Sequence, residues 1–273
     1  MPTDPGDGLD VDEVGSWAQD KHALLRLYIS VSRGARRKYL PPTGDGGASY
    51  IDLYSGFGRS IIADTAQIID GSPLVAYKAA REGGARFSEI HLADLEEIKC
   101  RAARDRIRAL GGSAQYYVGE ADITVKQVVE AINPYGLHFA FLDPYSLQAL
   151  PFSVIETLAK IQRMDILVHV SAQDLQRNLE RYLVDGDTRL ERFMPGWRNA
   201  VSVKQAQNAI RAQLFDYWLS KIHKLGLSPA KGMPLIAAGK NQRLYWLVFI
   251  SRSDFANKLW DAISSPSGQG QLI

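Results

Sequence analysis

Cysteine is almost missing: Cys100 stands alone among 273 residues. A disulfide framework and a cysteine-built zinc site are therefore both excluded. An excess of one charge is missing too, with 32 Lys and Arg against 30 Asp and Glu. The whole chain thus offers no polyelectrolyte attraction to nucleic acid. No apolar run approaches the length of a bilayer span, and the first residues are acidic, unlike a secretory leader. No two histidines have helical zinc-site spacing, and no Gly-x-Ser-x-Gly elbow marks a serine nucleophile. The expectation is a soluble, cytoplasmic protein with no membrane attachment.

What is present is apolar material, 46% of the residues, enough for one large α/β domain. Residues 1–15 hold Asp4, Asp7, Asp10, Asp12 and Glu13 among prolines and glycines, which predicts a flexible acidic tail. Residues 264–273 predict a second tail. Between them, residues 16–263 form one continuous unit. A helix is expected over 17–38, then a strand at "ASYIDLY". The segment "GSPLVAYKAAREGG" carries helix signals: Pro73 near its start, Ser72 as cap and Gly83-Gly84 at its end. "EIHLAD", "AQYYVG", "LHFAFLD" and "DILVHVS" predict further strands, separated by helices over 95–110, 123–132 and 151–163. Short apolar strands alternating with helices mean a parallel sheet covered on both faces. Residues 172–225 then predict a wholly helical insertion. "MPLIAAGKNQRLYWLVFIS" predicts two strands whose short connection requires an antiparallel hairpin. The fold class expected is α/β: a Rossmann-like, class I methyltransferase sheet of five parallel strands plus a closing antiparallel hairpin, with a helical insertion.

In such a sheet ligands bind at the carboxyl ends of the strands, beside the first one. "YIDLYSGFGRS" leaves that strand through Gly56 and Gly58. Glycine there serves a left-handed turn, or lets a ligand reach the backbone without a Cβ in the way. Asp52 would orient this loop or meet a ligand's amino group, with Tyr54 beside it. The second strand ends in Asp94-Leu95. A carboxylate at that place has the two acceptor oxygens that a ribose diol needs. After the third strand, Asp122 is a candidate acceptor for an adenine amino group and Ile123 a candidate packing surface for its ring. Asp122 reads equally well as a helix N-cap. The fourth strand ends in Asp143-Pro144-Tyr145, a partial match to the Asp/Asn-Pro-Pro-Tyr run of enzymes that methylate exocyclic amines. Its plain structural reading is a strand-exit turn. His91, His138 and His169 lie on strands and match no metal spacing.

Charge is unevenly spread. Residues 172–264 hold fourteen Lys and Arg against eight Asp and Glu, interleaved with Trp197, Tyr217, Trp218, Trp246 and Trp260. "RGARRKY", spanning Arg33 to Lys38 and Tyr39, adds four more cations. Either stretch suits nucleic acid through phosphate contact and base stacking. Both suit a solvated helical face with core tryptophans as well.

Taken together, "KHALLRLYI", "YIDLYSGFGR", "GSPLVAYKAA", "FLDPYSL" and "RLYWLVFISRSDFANKLWDAI" resemble the three-Cys-motif partner family, over nearly the whole chain. The resemblance implies a methyltransferase-like Rossmann domain; S-adenosylmethionine is the cofactor expected if the chain is a methyltransferase. The resemblance also implies a bacterial setting beside a partner protein that carries the three cysteines and resembles radical S-adenosylmethionine enzymes. The first loop departs from that family's Ala-Gly-Pro-Gly, having Ser55-Gly56-Phe57-Gly58. Two functions follow. One is a methyltransferase in which Asp52, Tyr54, Gly56, Gly58, Asp94, Leu95, Asp122 and Ile123 bind the cofactor, while Asp143, Pro144 and Tyr145 position a nucleic-acid or other amine. The other is a catalytically silent module that docks a partner through residues 172–225, its pocket plugged by Phe57 or by the 59–71 loop. A metal-dependent nuclease using Asp52, Asp94 and Asp143 is a third option.

Overall fold

The computed structural model describes residues 1–238 and 242–265. In chain order the elements are β1 (Asp12–Val14), α1 (Ala18–Val31), α2 (Arg33–Arg37), β2 (Ala48–Asp52), β3 (Arg59–Ile62), β4 (Ile68–Asp70) and α3 (Ser72–Glu82). Then follow β5 (Glu89–Asp94), α4 (Glu97–Ala109), β6 (Gln115–Val118), α5 (Ala121–Ala131), β7 (Leu137–Leu142), α6 (Phe152–Leu158) and β8 (Met164–Ser171). The last are α7 (Ala172–Leu183), α8 (Arg189–Phe193), α9 (Gln207–Lys224), β9 (Ser228–Pro229), β10 (Leu235–Ala238), β11 (Gln242–Ser251) and α10 (Asp254–Ser264).

The main sheet runs β10-β11-β8-β7-β2-β5-β6. β2, β5, β6, β7 and β8 pair in parallel, and β11 runs antiparallel to both β8 and β10. This is the α/β sheet with a closing hairpin that the apolar spacing predicts, enlarged by the short β9 against β11. The hairpin turn, residues 239–241, and tail residues 266–273 lie outside the described residues.

Successive strand residues feed opposite faces. Ile51 joins a core under α5, α6, α7 and α9; Tyr50 joins another under α1, α3, α4 and α10. Both faces are covered, which is why the strands are apolar almost throughout.

Two expectations change. Residues 1–15 are docked and ordered: β1 pairs in parallel with β3, and Val11 is fully buried. The acidic side chains meet distant arginines. Asp4 Oδ2 accepts from Arg59 at 2.6 Å, and Asp7 receives a two-pronged bond from Arg106 at 2.8 and 2.9 Å. The 59–71 segment supplies the β3–β4 hairpin that completes this small second sheet. Residues 172–225 are also less helical than expected, because Gly186 and Gly196 adopt left-handed φ of 84° and Pro195 lies between helices.

Three tryptophans of residues 172–264 face inward. Trp197, Trp218 and Trp260 are fully buried, and Trp218 stacks on Phe193 with ring centres 5.3 Å apart. They are core residues and cannot stack on bases. Trp218→Ala should therefore cost about 3–5 kcal/mol of stability, read by urea unfolding. An unchanged midpoint would show that the site is not packed. Arg36 is buried as well, bonded to the carbonyls of Ala85 and Ile29, so "RGARRKY" is partly a structural anchor. Among the described residues no helix is long and apolar enough to cross a membrane.

Candidate functional site

The strands β2, β5, β7 and β8 all end on one side. β2 lies between β5 and β7, so the chain's crossovers diverge there and leave a crevice. A cleft of about 680 Å³ opens at this place. That is the size of a site for a nucleoside-sized ligand.

Gly56 and Gly58 take left-handed φ of 53° and 79°. Their second reason is internal. A Cβ on Gly58 would stand 2.8 Å from Leu74 Cδ1 and 3.0 Å from Ala103 Cα. One on Gly56 would stand 2.8 Å from Asp12 Oδ2. The turn is tight because chain segments crowd it, and β1 approaches from outside. Phe57 is buried with Lys99 Nζ 5.5 Å from its ring centre, and the cleft stays open beside it. Neither Phe57 nor the 59–71 segment plugs the site.

The three strand-end aspartates occupy three different environments. Asp52 is fully buried and does not line the cleft. It accepts from Tyr50 Oη at 2.9 Å and from the Tyr54 amide at 3.2 Å, so it organises the loop and does not touch a ligand. Burial outweighs these bonds and those to Ser72, and pushes the carboxyl up to about 7. A pH effect on stability follows. The folded protein holds a proton on Asp52 that the unfolded chain releases near pH 4. Stability contributed by this group is complete below pH 4 and lost as pH rises towards 7. Wild type should lose about 3 kcal/mol more than Asp52→Asn between pH 5 and pH 8, measured by urea unfolding. Parallel profiles would mean that Asp52 is ionised throughout.

Asp94 lines the cleft. Its Oδ2 accepts from the Gly56 amide at 3.1 Å and its Oδ1 from the Glu96 amide at 3.2 Å. Each oxygen keeps a further lone pair. Burial raises this carboxyl, with Lys99 opposing. Tyr54 lines the cleft and its hydroxyl donates to Ala149 O at 2.7 Å, pinning the loop after β7. Leu95 lies exposed on the rim. Asp122 and Ile123 do not line the cleft: they fall within the first turn of α5, and Ile123 is 56% exposed. Gly119, Glu120 and Ala121 stand at the cleft instead. Asp122 is no N-cap either, since Glu120 holds that position without a side-chain bond.

Asp143, Pro144 and Tyr145 all line the cleft, and Tyr145 is 76% exposed. Asp143 is not free. Its Oδ2 is ion-paired with Lys21 Nζ, and its Oδ1 lies 2.7 Å from His169 Nδ1. Burial opposes ionisation, but Lys21 and His169 outweigh it and hold the carboxyl well below the usual range. His169 itself is lowered, burial outweighing Asp143. His22, also at the cleft, is pushed down to about 3 by burial and by Lys21. The chain segment is held from behind by Asp174, whose Oδ2 accepts from the Leu147 amide at 2.7 Å.

Sequence reasoning missed Lys21 and His22. The signal was available: Leu24, Leu25, Tyr28 and Ile29 form the buried stripe of α1, and Lys21 precedes it at helical spacing. A charged residue on a buried stripe is uncommon unless paired. Missed too were Asp12, Glu13 and Val14 of β1 and Arg189 and Arg192 of α8, which line the cleft from regions read as tail and insertion. Among the described residues no group of acidic, histidine or cysteine side chains has the arrangement of a metal site, and Asp143 is already neutralised by Lys21.

No protein-family model matches the chain, and no curated protein matches it in sequence. Solved structures do. An O-methyltransferase from Bacillus cereus, solved in complex with SAH, is 12% identical with a TM-score of 0.52; the match covers 90% of this chain and 86% of that one. The DszA carbon methyltransferase is 11% identical with a TM-score of 0.52, over 88% of this chain and 55% of that one. The chain spans 40% of the bifunctional kinase-methyltransferase WbdD, at 10% identity and a TM-score of 0.44. The fold is that of the class I methyltransferases.

Proposed function

We propose that this chain is a methyltransferase that uses S-adenosylmethionine. One observation carries the reading: Asp94 stands at the end of β5 in the wall of an open cleft, bonded to the amide of Gly56 in the loop after β2. A ribose diol needs a fixed carboxylate at that strand end. The residues present fit the cofactor. Asp94 would hold the sugar hydroxyls, Leu95 would cover the base, Gly56 and Tyr54 would border the amino-acid arm, and Glu120 and Ala121 would stand where Asp122 and Ile123 were expected. When bound, the cofactor supplies an electrophilic methyl carbon on a sulfonium. The chain's part is to align an acceptor with it and exclude water.

The expected partner, a three-Cys-motif protein, rests on the sequence resemblance alone and stays part of this proposal. A nucleic-acid acceptor loses support, since Trp197, Trp218 and Trp260, three of the four tryptophans meant to stack on bases, are core residues. Exposed basic side chains of residues 172–264, among them Arg177, Lys204, Lys224 and Lys258, suit a partner's acidic surface.

Calorimetric titration with S-adenosylmethionine and S-adenosylhomocysteine tests the proposal. Saturable binding at micromolar concentration supports it. No heat and no thermal shift at millimolar ligand would overturn it, leaving a methyltransferase fold that serves as an interaction module.

A further inference from the structure

At the end of the cleft formed by β7 and β8, α1 lays a lysine over two strand ends. Lys21 Nζ donates to Asp143 Oδ2, and His169 Nδ1 stands 2.7 Å from Asp143 Oδ1. All three line the cleft and are mostly buried. Both ring nitrogens of His169 are buried and neither makes a well-directed hydrogen bond, and the ring packs edge-on against Tyr245 at 4.0 Å between centres. A buried charged pair beside an unsatisfied imidazole costs stability. Catalytic hydrogen bonds are commonly poorly aligned before the substrate binds.

We propose that Lys21, Asp143 and His169 form a proton-accepting group, and that the acceptor methylated in this cleft is a hydroxyl on an aromatic ring. The proposal rests on the methyltransferase reading above and narrows its acceptor. An exocyclic amine would seek two hydrogen-bond acceptors on Asp143, but one oxygen is taken by Lys21 and the other faces His169. A neutral amine also attacks without first losing a proton. A hydroxyl attacks well only as its proton leaves. His169 is kept neutral by burial, with Lys21 opposing its protonation and Asp143 favouring it. Its Nδ1, 2.7 Å from Asp143 Oδ1, is placed to take up a proton, and that carboxylate stabilises the imidazolium that forms. Lys21 has three N–H donors, one of which goes to Asp143. The rest suit an oxygen gaining negative charge, and the lysine repels a cationic amine. Other groups facing this cluster are His22 on α1, Tyr245 on β11, Tyr50 on β2, Tyr54 in the loop after it and the buried Asp52. Pro144 and the exposed ring of Tyr145 give the lip a flat apolar surface, which selects an aromatic ring.

The step balances. The acceptor oxygen bonds to the methyl carbon as the carbon–sulfur bond breaks, the electron pair stays on sulfur, and the hydroxyl proton passes through Asp143 Oδ1 to His169 Nδ1, 2.7 Å behind it.

The test uses binding and colour. 4-Nitrophenol is titrated into protein saturated with S-adenosylhomocysteine, at a pH near the probe's own midpoint. The bound probe should show the phenolate spectrum, with the ionised form enriched about ten-fold over solution. His169→Gln and Lys21→Met should each lose most of that enrichment, whereas Lys21→Arg should keep it. 4-Nitroaniline, of the same shape, should bind at least about ten-fold more weakly. If a variant does not fold, the comparison of the two probes on wild type decides alone. Equal binding of the aniline, a bound phenol that stays neutral, or no binding of either probe would overturn the proposal. Failure to bind S-adenosylhomocysteine at all would be a separate result, and would remove the methyltransferase reading with it.

Discussion

Asp94→Ala should lose at least about 100-fold in affinity for S-adenosylhomocysteine. The carboxylate is asked to do two things. It would accept both ribose hydroxyls, in charge-assisted bonds worth about 1.5–3 kcal/mol each. It already holds the amides of Gly56 and Glu96, at 3.1 and 3.2 Å. Without it the glycine loop loses a tether at the point where its φ is left-handed. Two lost bonds make about 3 kcal/mol or more, hence the 100-fold. Asp94→Asn separates the roles. The amide oxygen accepts from one backbone N–H, but the amide nitrogen faces the other. Intermediate affinity, reduced about ten-fold, is expected by calorimetry. If Asp94→Ala binds as wild type does, the ribose is not held here and the site assignment fails.

Three aspartates at three strand ends look alike in the sequence, and their positions were legible because apolar strands point to where each one ends. Their roles were not. Asp52 is buried and pushed up to about 7, Asp94 stands in the cleft wall, and Asp143 is held ionised. The difference is made by neighbours far along the chain. Lys21 lies 122 residues from Asp143. No local pattern carries that contact, although a lysine on the apolar stripe of α1 hints that a partner exists.

The acidic N-terminus was misread for the same reason. Its composition fits a disordered tail only while its carboxylates are counted as unpaired. Arg59 and Arg106, 55 and 99 residues away, pair them. Of the misread segments, 1–15 is shaped by distant pairing to β3, Arg59 and Arg106, and 184–206 by left-handed Gly186 and Gly196 around Pro195. The strands and the helices around them, specified by periodicity, came out within a few residues. Asp122 and Ile123 are not among the residues lining the cleft because α5 starts at Ala121, two residues before the expected 123.

Arg106 carries the second large prediction. Its guanidinium is almost fully buried and bonds to Asp7, to the carbonyls of Leu9 and Asp10, and to the carbonyl of Phe57 at 2.7 Å. One side chain thus ties the N-terminal strap to the glycine loop. The strap in turn supplies Asp12, Glu13 and Val14 to the cleft wall. Arg106→Ala removes the buried charge and leaves three carbonyls without that donor. Breaking a buried pair costs about 3–5 kcal/mol, more than a three-stranded sheet of short strands has to give. The strap should detach while the main sheet stays folded, since α4 keeps its own packing through Ala103 and Ile107. Protease should then cut within residues 1–14 well before the rest of the chain. Affinity for S-adenosylhomocysteine should fall about ten-fold, because one cleft wall is lost. Arg106→Lys keeps a charge but not the planar fork, and should restore only part of both effects. Unchanged cleavage and affinity in Arg106→Ala would show that β-pairing with Arg59–Ile62 alone holds the strap, and that Arg106 only fills space beneath it.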